Sequence, residues 1–200
     1  MDLGPTLVEG FLKIYDPNNQ EIFVDKHNAI HYENMSVALA QSIANTNLGF
    51  IYAMAFGNGG SAVDPTGVIT YLPPNVTGQN ADLYNQTYIK VVDQNSAANI
   101  NPSRNFLTVL HTTGKVYTDV LVTCLLDYGE PAGQQAFDNS TNFNGEFVFD
   151  ELGLKAWEGA GEDLMLITHV IFHPVQKSLN RQIQIDYTVR IQTLTDLSAA

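Results

Sequence analysis

Polar and apolar residues alternate almost without a break from Gln182 to Gln192. Ile183, Ile185, Tyr187, Val189 and Ile191 fall on one side; Gln182, Gln184, Asp186, Thr188, Arg190 and Gln192 fall on the other. Side chains of an extended chain point alternately to opposite faces, so this pattern predicts a half-buried β-strand. Its polar side is rich in amides and poor in net charge, unlike a face that only has to stay soluble. Amides lose less than charges do when another protein displaces their water. The face is therefore read as an assembly surface.

The same reading extends along the chain. Val8 to Asp25 predicts a hairpin, in which Phe11–Tyr15 and Glu21–Val24 flank Asp16-Pro17-Asn18-Asn19 and Pro17 presets the turn. Asn34 offers an N-cap for a short helix carrying Met35, Val37, Ala38, Leu39, Ile43 and Ala44, and Asn45-Thr46-Asn47 closes it. Phe50–Phe56 predicts a buried strand, followed at Gly57-Asn58-Gly59-Gly60 by a turn whose glycines would supply positive φ. Turn residues then dominate as far as Asn85. Thr87–Val92, Phe106–His111, Val116–Leu126 and Glu146–Phe149 are further strands. The expectation is one β-rich domain over residues 1–200, mainly an antiparallel β-sandwich or jelly-roll-like fold with one short helix. Long loops are expected near 57–86 and 127–145. Loops of this length in compact domains are usually functional or reach a partner.

Composition narrows the function classes. The chain has 200 residues, 44% hydrophobic and 10% aromatic, which is enough for an ordinary core. Nine basic residues stand against 21 acidic ones, a net charge of −12. That is too little positive charge for nucleic acid or an anionic membrane surface, and no apolar run approaches the ~20 residues that span a bilayer. Met1–Gly10 has neither the charged nor the apolar region of a signal peptide, so assembly in a cytoplasm is expected. The single cysteine, Cys124, lies in an apolar run and reads as a buried small hydrophobe.

Candidate chemistry thins out on inspection. His169 and His173 would share a metal on a helix, but four residues of strand at ~3.3 Å each set them ~13 Å apart. His27 and His31 repeat the spacing in an irregular connector. Ser140–Glu151 partly mimics a calcium loop, with Asn142, Asn144, Gly145, Phe147 and Glu151 at matching offsets, but Ser140 replaces the first carboxylate. Gly57–Gly60 follows a strand as a phosphate loop does, without the helix and Lys-Ser/Thr pair that would hold the anion. Asp150-Glu151 and Glu162-Asp163 are adjacent residues, which on a strand face opposite ways and make no acid–base dyad. The sequons at Asn34, Asn75, Asn85 and Asn139 carry weight only in a secreted chain. No catalytic residue, metal or cofactor is assigned.

The segment Phe147-Val148-Phe149-Asp150-Glu151-Leu152-Gly153-Leu154 is followed by a loop with Gly159 and Gly161. Asp163 to Lys177 comes next, including Leu166-Ile167-Thr168-His169-Val170 and Pro174-Val175-Gln176-Lys177, and then the final alternating strand. This order resembles a pattern in virion structural proteins of tailed bacteriophages, and Phe50–Gly60 resembles a second element of them. The resemblance covers the last quarter of the chain well and the first third loosely. It implies a non-enzymatic virion subunit, assembled in a host cytoplasm. The place implied is the neck or collar at the head–tail junction, with capsid decoration or a tail or baseplate adaptor as alternatives. The implied partners are other virion proteins and further copies in a symmetric ring. The expected interface residues are Gln182, Gln184, Asp186, Arg190 and Gln192, with Lys177 and Arg181 as a basic patch meeting an acidic neighbour. A glycan- or receptor-binding module using Trp157, Tyr71, Tyr84 and the Asn-rich loops is the rival reading, and an enzyme of unrecognised type is a third.

Overall fold

The computed structural model describes residues 6–78, 80–132, 147–159 and 164–193. The alternating C-terminal segment forms a strand, β13 (Ile183–Thr193), at the centre of a five-stranded antiparallel sheet. Its neighbours are β1 (Thr6–Tyr15) and β9 (Tyr117–Leu126); β2 (Ile22–His27) and β8 (Phe106–Leu110) are the edges. Both long ladders are unbroken: Thr6 opposes Thr193 through to Tyr15 opposite Gln184, and Ile183 opposes Leu126 through to Gln192 opposite Tyr117. The apolar face of β13 meets Leu12, Ile14, Val122, Cys124 and Leu126 in one buried cluster.

A second sheet faces the first. Its order is β3 (Ala29–Ile30), β12 (Thr168–Gln176), β10 (Val148–Trp157), β4 (Ile51–Gly57) and β7 (Gln86–Val91), with β11 (Leu164–Leu166) also paired to β10. Met54, Phe56, Phe149, Leu152, Leu154, Val170 and Phe172 bring its inner face into the same core. Each large side chain fully buried there contributes about 1.5–3 kcal/mol. The fold is thus mainly β and sandwich-like, as the periodicity predicts.

Among the described residues there is one helix, α1 (Tyr32–Ile43), which buries Met35 and Ala38. Its N-cap lies three residues before the predicted Asn34. His31 is the N-cap, extended at φ −82° and ψ 93°, and its Nδ1 accepts the Asn34 N–H at 3.2 Å. An imidazole acceptor here does the work of the usual Ser or Asp oxygen. The helix is neither long nor apolar enough to cross a membrane.

Two further departures concern strand edges. β10 runs well past the predicted Phe149, and its pairing with β12 slips between Phe149 and Glu151. Pro174 sits opposite that slip, inside β12 and not at its end, where its missing N–H does little harm. The turn-rich segment after β4 contains a small hairpin of β5 (Ser61–Val63) and β6 (Ile69–Tyr71). The loop expected near 127–145 lies mostly outside the described residues.

Candidate functional site

The outer face of the second sheet carries charged residues in mid-strand. Glu151 and His169 are 0% exposed, Asp150 3% and Lys155 5%. Buried charges of this kind persist only with hydrogen-bond partners. Here the partners are backbone amides of the long 57–86 segment, which lies across this face. Glu151 Oε1 accepts from Gly59 N at 3.0 Å and Asn85 N at 2.8 Å; Oε2 accepts from Tyr84 N at 2.9 Å and His169 Nε2 at 3.0 Å. Asp150 takes Gly60 N at 2.9 Å, Ser61 N at 2.8 Å and Ser61 Oγ at 2.5 Å. Lys155 Nζ reaches Asp82 at 2.8 Å.

Histidines hold the middle of the segment. His169 Nδ1 accepts the Asn75 N–H at 2.8 Å, so its proton lies on Nε2, which donates to Glu151. His31 Nε2 meets Gly78 O at 2.9 Å. Tyr84 tilts over the His169 ring with centroids 5.7 Å apart, and its hydroxyl donates to Pro73 O at 2.7 Å. Beneath, Ala55, Leu83 and Leu166 close a small apolar floor. The long loop is thus fixed by side chains remote in sequence.

Titration follows this geometry. Burial acts to raise the Glu151 carboxyl, but the donors from His169, Asn85, Tyr84 and Gly59 outweigh it and hold the group below its ordinary value. For Asp150, burial wins over the bonds from Ser61 and Gly60, and the neighbouring Glu151 charge adds to it, so its carboxyl lies above the ordinary value. A split pair of carboxyls is common at catalytic centres. Here both lie under a loop, with their oxygens already accepting from it, and both His169 nitrogens are engaged.

Several sequence expectations change. Asp150 and Glu151 are not turned apart: the register slip beside them lets both grip the same Gly57–Ser61 turn. The glycines of that turn are not needed for positive φ. They leave room, since a Cβ on Gly57 would meet the Glu151 carboxylate, and one on Gly59 would lie 2.7 Å from Asn85 N. The amides that resemble a phosphate cradle bind the chain's own carboxylates. The calcium-like positions Ser140, Asn142, Asn144 and Gly145 lie outside the described residues, as do Gly161, Glu162-Asp163 and Asn139. Each four-spaced histidine pair is split, with His31 and His169 buried against the loop. His27 and His173 instead line a cleft of about 630 Å³ between the edges of β2 and β12. Among the described residues no three His, Cys, Asp or Glu side chains are grouped to hold a metal.

Four of the predicted interface residues share one face. On the outer face of the first sheet Gln184, Asp186, Arg190 and Gln192 alternate with Tyr15, Lys13, Glu9 and Leu7 of β1 and with Leu125, Thr123, Asp119 and Tyr117 of β9. Arg190 is bidentate to Asp119 at 2.8 and 2.9 Å and lies 3.9 Å from the Tyr117 ring centroid. Tyr15 donates to Asp186 at 3.1 Å, and Gln184 to Asp186 at 3.3 Å. Gln182 donates to Asp127 at 2.7 Å, and Arg181 lies over Phe23. Lys177 does not belong to this face. It is 1% exposed, with its ammonium donating to Ser178 O at 2.9 Å, and burial lowers it to about 8 against the opposing pull of Glu130 and Asp127.

No family model, curated protein or solved structure matches the chain. The aromatic residues of the glycan reading also separate. Tyr71 bonds to His173 at 3.1 Å and Tyr84 to the loop backbone, whereas Trp157 packs on Phe50 and Tyr52.

Sequence reasoning gives no role in this site to Asp82, Asn75, Ser61 or Lys155. The available signal is the run from Val148 to Trp157, where two carboxylates and a lysine interrupt an otherwise apolar strand.

Proposed function

We propose that the chain is a non-enzymatic structural subunit that assembles with copies of itself into a symmetric ring, as a neck or collar component of a tailed-phage virion. The outer face of the five-stranded sheet carries this reading. It combines half-buried aromatic and arginine residues (Phe11, Tyr15, Tyr117 and Arg190) with polar groups already bonded to one another. Aromatic residues and arginine are enriched where proteins meet, and paired polar groups lose little when covered. β13 lies at the centre of its sheet, so the face is rigid and binding orders little backbone. The phage assignment rests on the resemblance of residues 147–191. The buried carboxylates and histidines serve the loop, which suits a scaffold better than a catalyst.

Sedimentation velocity on the purified chain from about 1 to 100 µM tests this. Self-association to a discrete oligomer is expected. Gln184→Ala and Gln192→Ala are expected to weaken it while leaving thermal stability within about 0.5 kcal/mol. A monomer throughout that range, or assembly unaltered by both substitutions, overturns the reading.

A further inference from the structure

A cleft of about 540 Å³ opens where the 57–86 loop meets the second sheet, within the range of small-molecule sites. Trp157 and Tyr52 form its wall, with ring centroids 4.6 Å apart, and Phe50 stacks behind Trp157 at 6.5 Å. Backbone bonds fix this wall: Trp157 N donates to Phe50 O at 2.9 Å, and Gly49 N donates to Trp157 O at 2.8 Å. Ile89, Val91 and Leu164 add apolar lining. The polar groups come from elsewhere. Gln86 is exposed on the edge strand, and the side chain of Asp82 is 52% exposed while that of its partner Lys155 is 6% exposed. Asp82 is oriented in turn by Leu83 N at 2.7 Å on its carboxylate and by Asn75 Nδ2 at 2.8 Å on its carbonyl.

We propose that this cleft, walled by Trp157 and Tyr52 and rimmed by Asp82, Gln86 and Lys155, binds a neutral saccharide. A pyranose has an apolar face of C–H groups and a rim of hydroxyls that both donate and accept. The aromatic wall matches the first. Asp82 accepts, Lys155 donates and the Gln86 amide does both, which matches the second. An anionic ligand would meet the Asp82 carboxylate in a chain of net charge −12. A cationic one would meet the Lys155 ammonium. An uncharged polyhydroxyl compound suffers neither repulsion. All these groups sit on paired strands or the fixed loop, so little ordering opposes binding. The site is separate from the assembly face and adds a ligand to the proposed structural role.

Trp157 is the sole tryptophan, so its emission reports on this cleft alone. The full chain is titrated with maltotriose, cellotriose and chitotriose into the millimolar range, with saturation-transfer NMR on the same samples to detect binding that leaves emission unchanged. A saturable response to at least one sugar is expected. Gln86→Ala and Asp82→Asn are each expected to weaken it about tenfold, the effect of altering one hydrogen-bonding side chain. Gln86→Ala keeps the thermal midpoint, whereas Asp82→Asn lowers it because the buried Lys155 ammonium loses its carboxylate, so both are titrated well below their midpoints. Silence in both measurements overturns the proposal, as does binding undiminished in both variants. Saturable binding of a proline-rich peptide with no sugar response overturns it too, because it assigns the cleft to β7 edge recognition. None of these outcomes depends on self-association.

Discussion

Glu151→Gln removes one acceptor oxygen from a fully buried carboxylate and changes almost nothing in size. The new amide group must face one of two pairs of donors. Either the N–H groups of Gly59 and Asn85 lose their acceptor, or the N–H of Tyr84 and Nε2–H of His169 do. Each buried donor left unsatisfied costs about 1–3 kcal/mol. The substitution should therefore cost about 2–6 kcal/mol. The two surviving bonds also fall from charge-assisted to neutral strength. Glu151 is 0% exposed, so solvent screening does not dilute this effect. Against a total stability of about 5–15 kcal/mol for an ordinary domain, the loss is large, and it corresponds to a fall in midpoint of roughly 10 °C. The assay is urea unfolding followed by circular dichroism, with Glu21→Gln on the exposed hairpin turn as the isosteric control. Glu151→Gln should lower the urea midpoint sharply while the control stays put. A changed denaturant slope would show the loop detaching ahead of the sheets. A Glu151→Gln protein within about 0.5 kcal/mol of the unaltered chain would refute the reasoning, because four donors cannot depend on that carboxylate and be indifferent to its loss.

Acid should narrow the gap between these two proteins. A carboxyl held below its ordinary value adds stability above the unfolded value of about 4.3 and loses it as pH falls through the folded one. The advantage over Glu151→Gln, read from urea midpoints, should be full near pH 6 and shrink towards pH 3; a constant gap would contradict it. Asp150, raised in the fold chiefly by burial, acts with the opposite sign in both proteins, less strongly in Glu151→Gln, where the Glu151 charge that helps to raise it is gone. Gly57→Ala should cost about 1–3 kcal/mol by driving a methyl against the Glu151 carboxylate and to 2.5 Å from Asn85 O, measured as a loss of thermal midpoint. Cys124 is fully buried, and burial pushes its thiol up to about 12, so an aromatic disulfide reagent should react only after denaturant is added. Reaction in native buffer would place Cys124 outside the core.

The strands that carry the core were legible because one face of each is apolar. β13 differs from the predicted segment by a residue, since its alternation continues unbroken on both ladders. β1 begins before Val8 because Thr6 and Leu7 are held by pairing with β13, a long-range effect that local pattern does not register. Local pattern cuts β10 short for the same kind of reason. Asp150, Glu151 and Lys155 break its apolar run, and the groups that satisfy them come from Gly59, Gly60, Ser61, Tyr84, Asn85 and Asp82. The histidines were legible as a pair but not as loop anchors, since the donor to His169 sits 94 residues away at Asn75. The candidate site was thus visible only as charges out of place in a strand. The helix start escapes local pattern because His31, an uncommon cap, replaces the usual hydroxyl or carboxylate.

Amide hydrogen exchange across 57–86 in the unaltered protein reads the attachment of this loop directly. The amides of Gly59, Gly60, Ser61, Asn75, Tyr84 and Asn85 all donate to buried side chains. They should exchange nearly as slowly as the ladder amides of β4 and β10. In Glu151→Gln the amides of Gly59, Tyr84 and Asn85 should lose protection while β13 keeps its own. Exchange of these amides at unprotected rates in the unaltered chain would contradict the claim that buried carboxylates and histidines fix the loop.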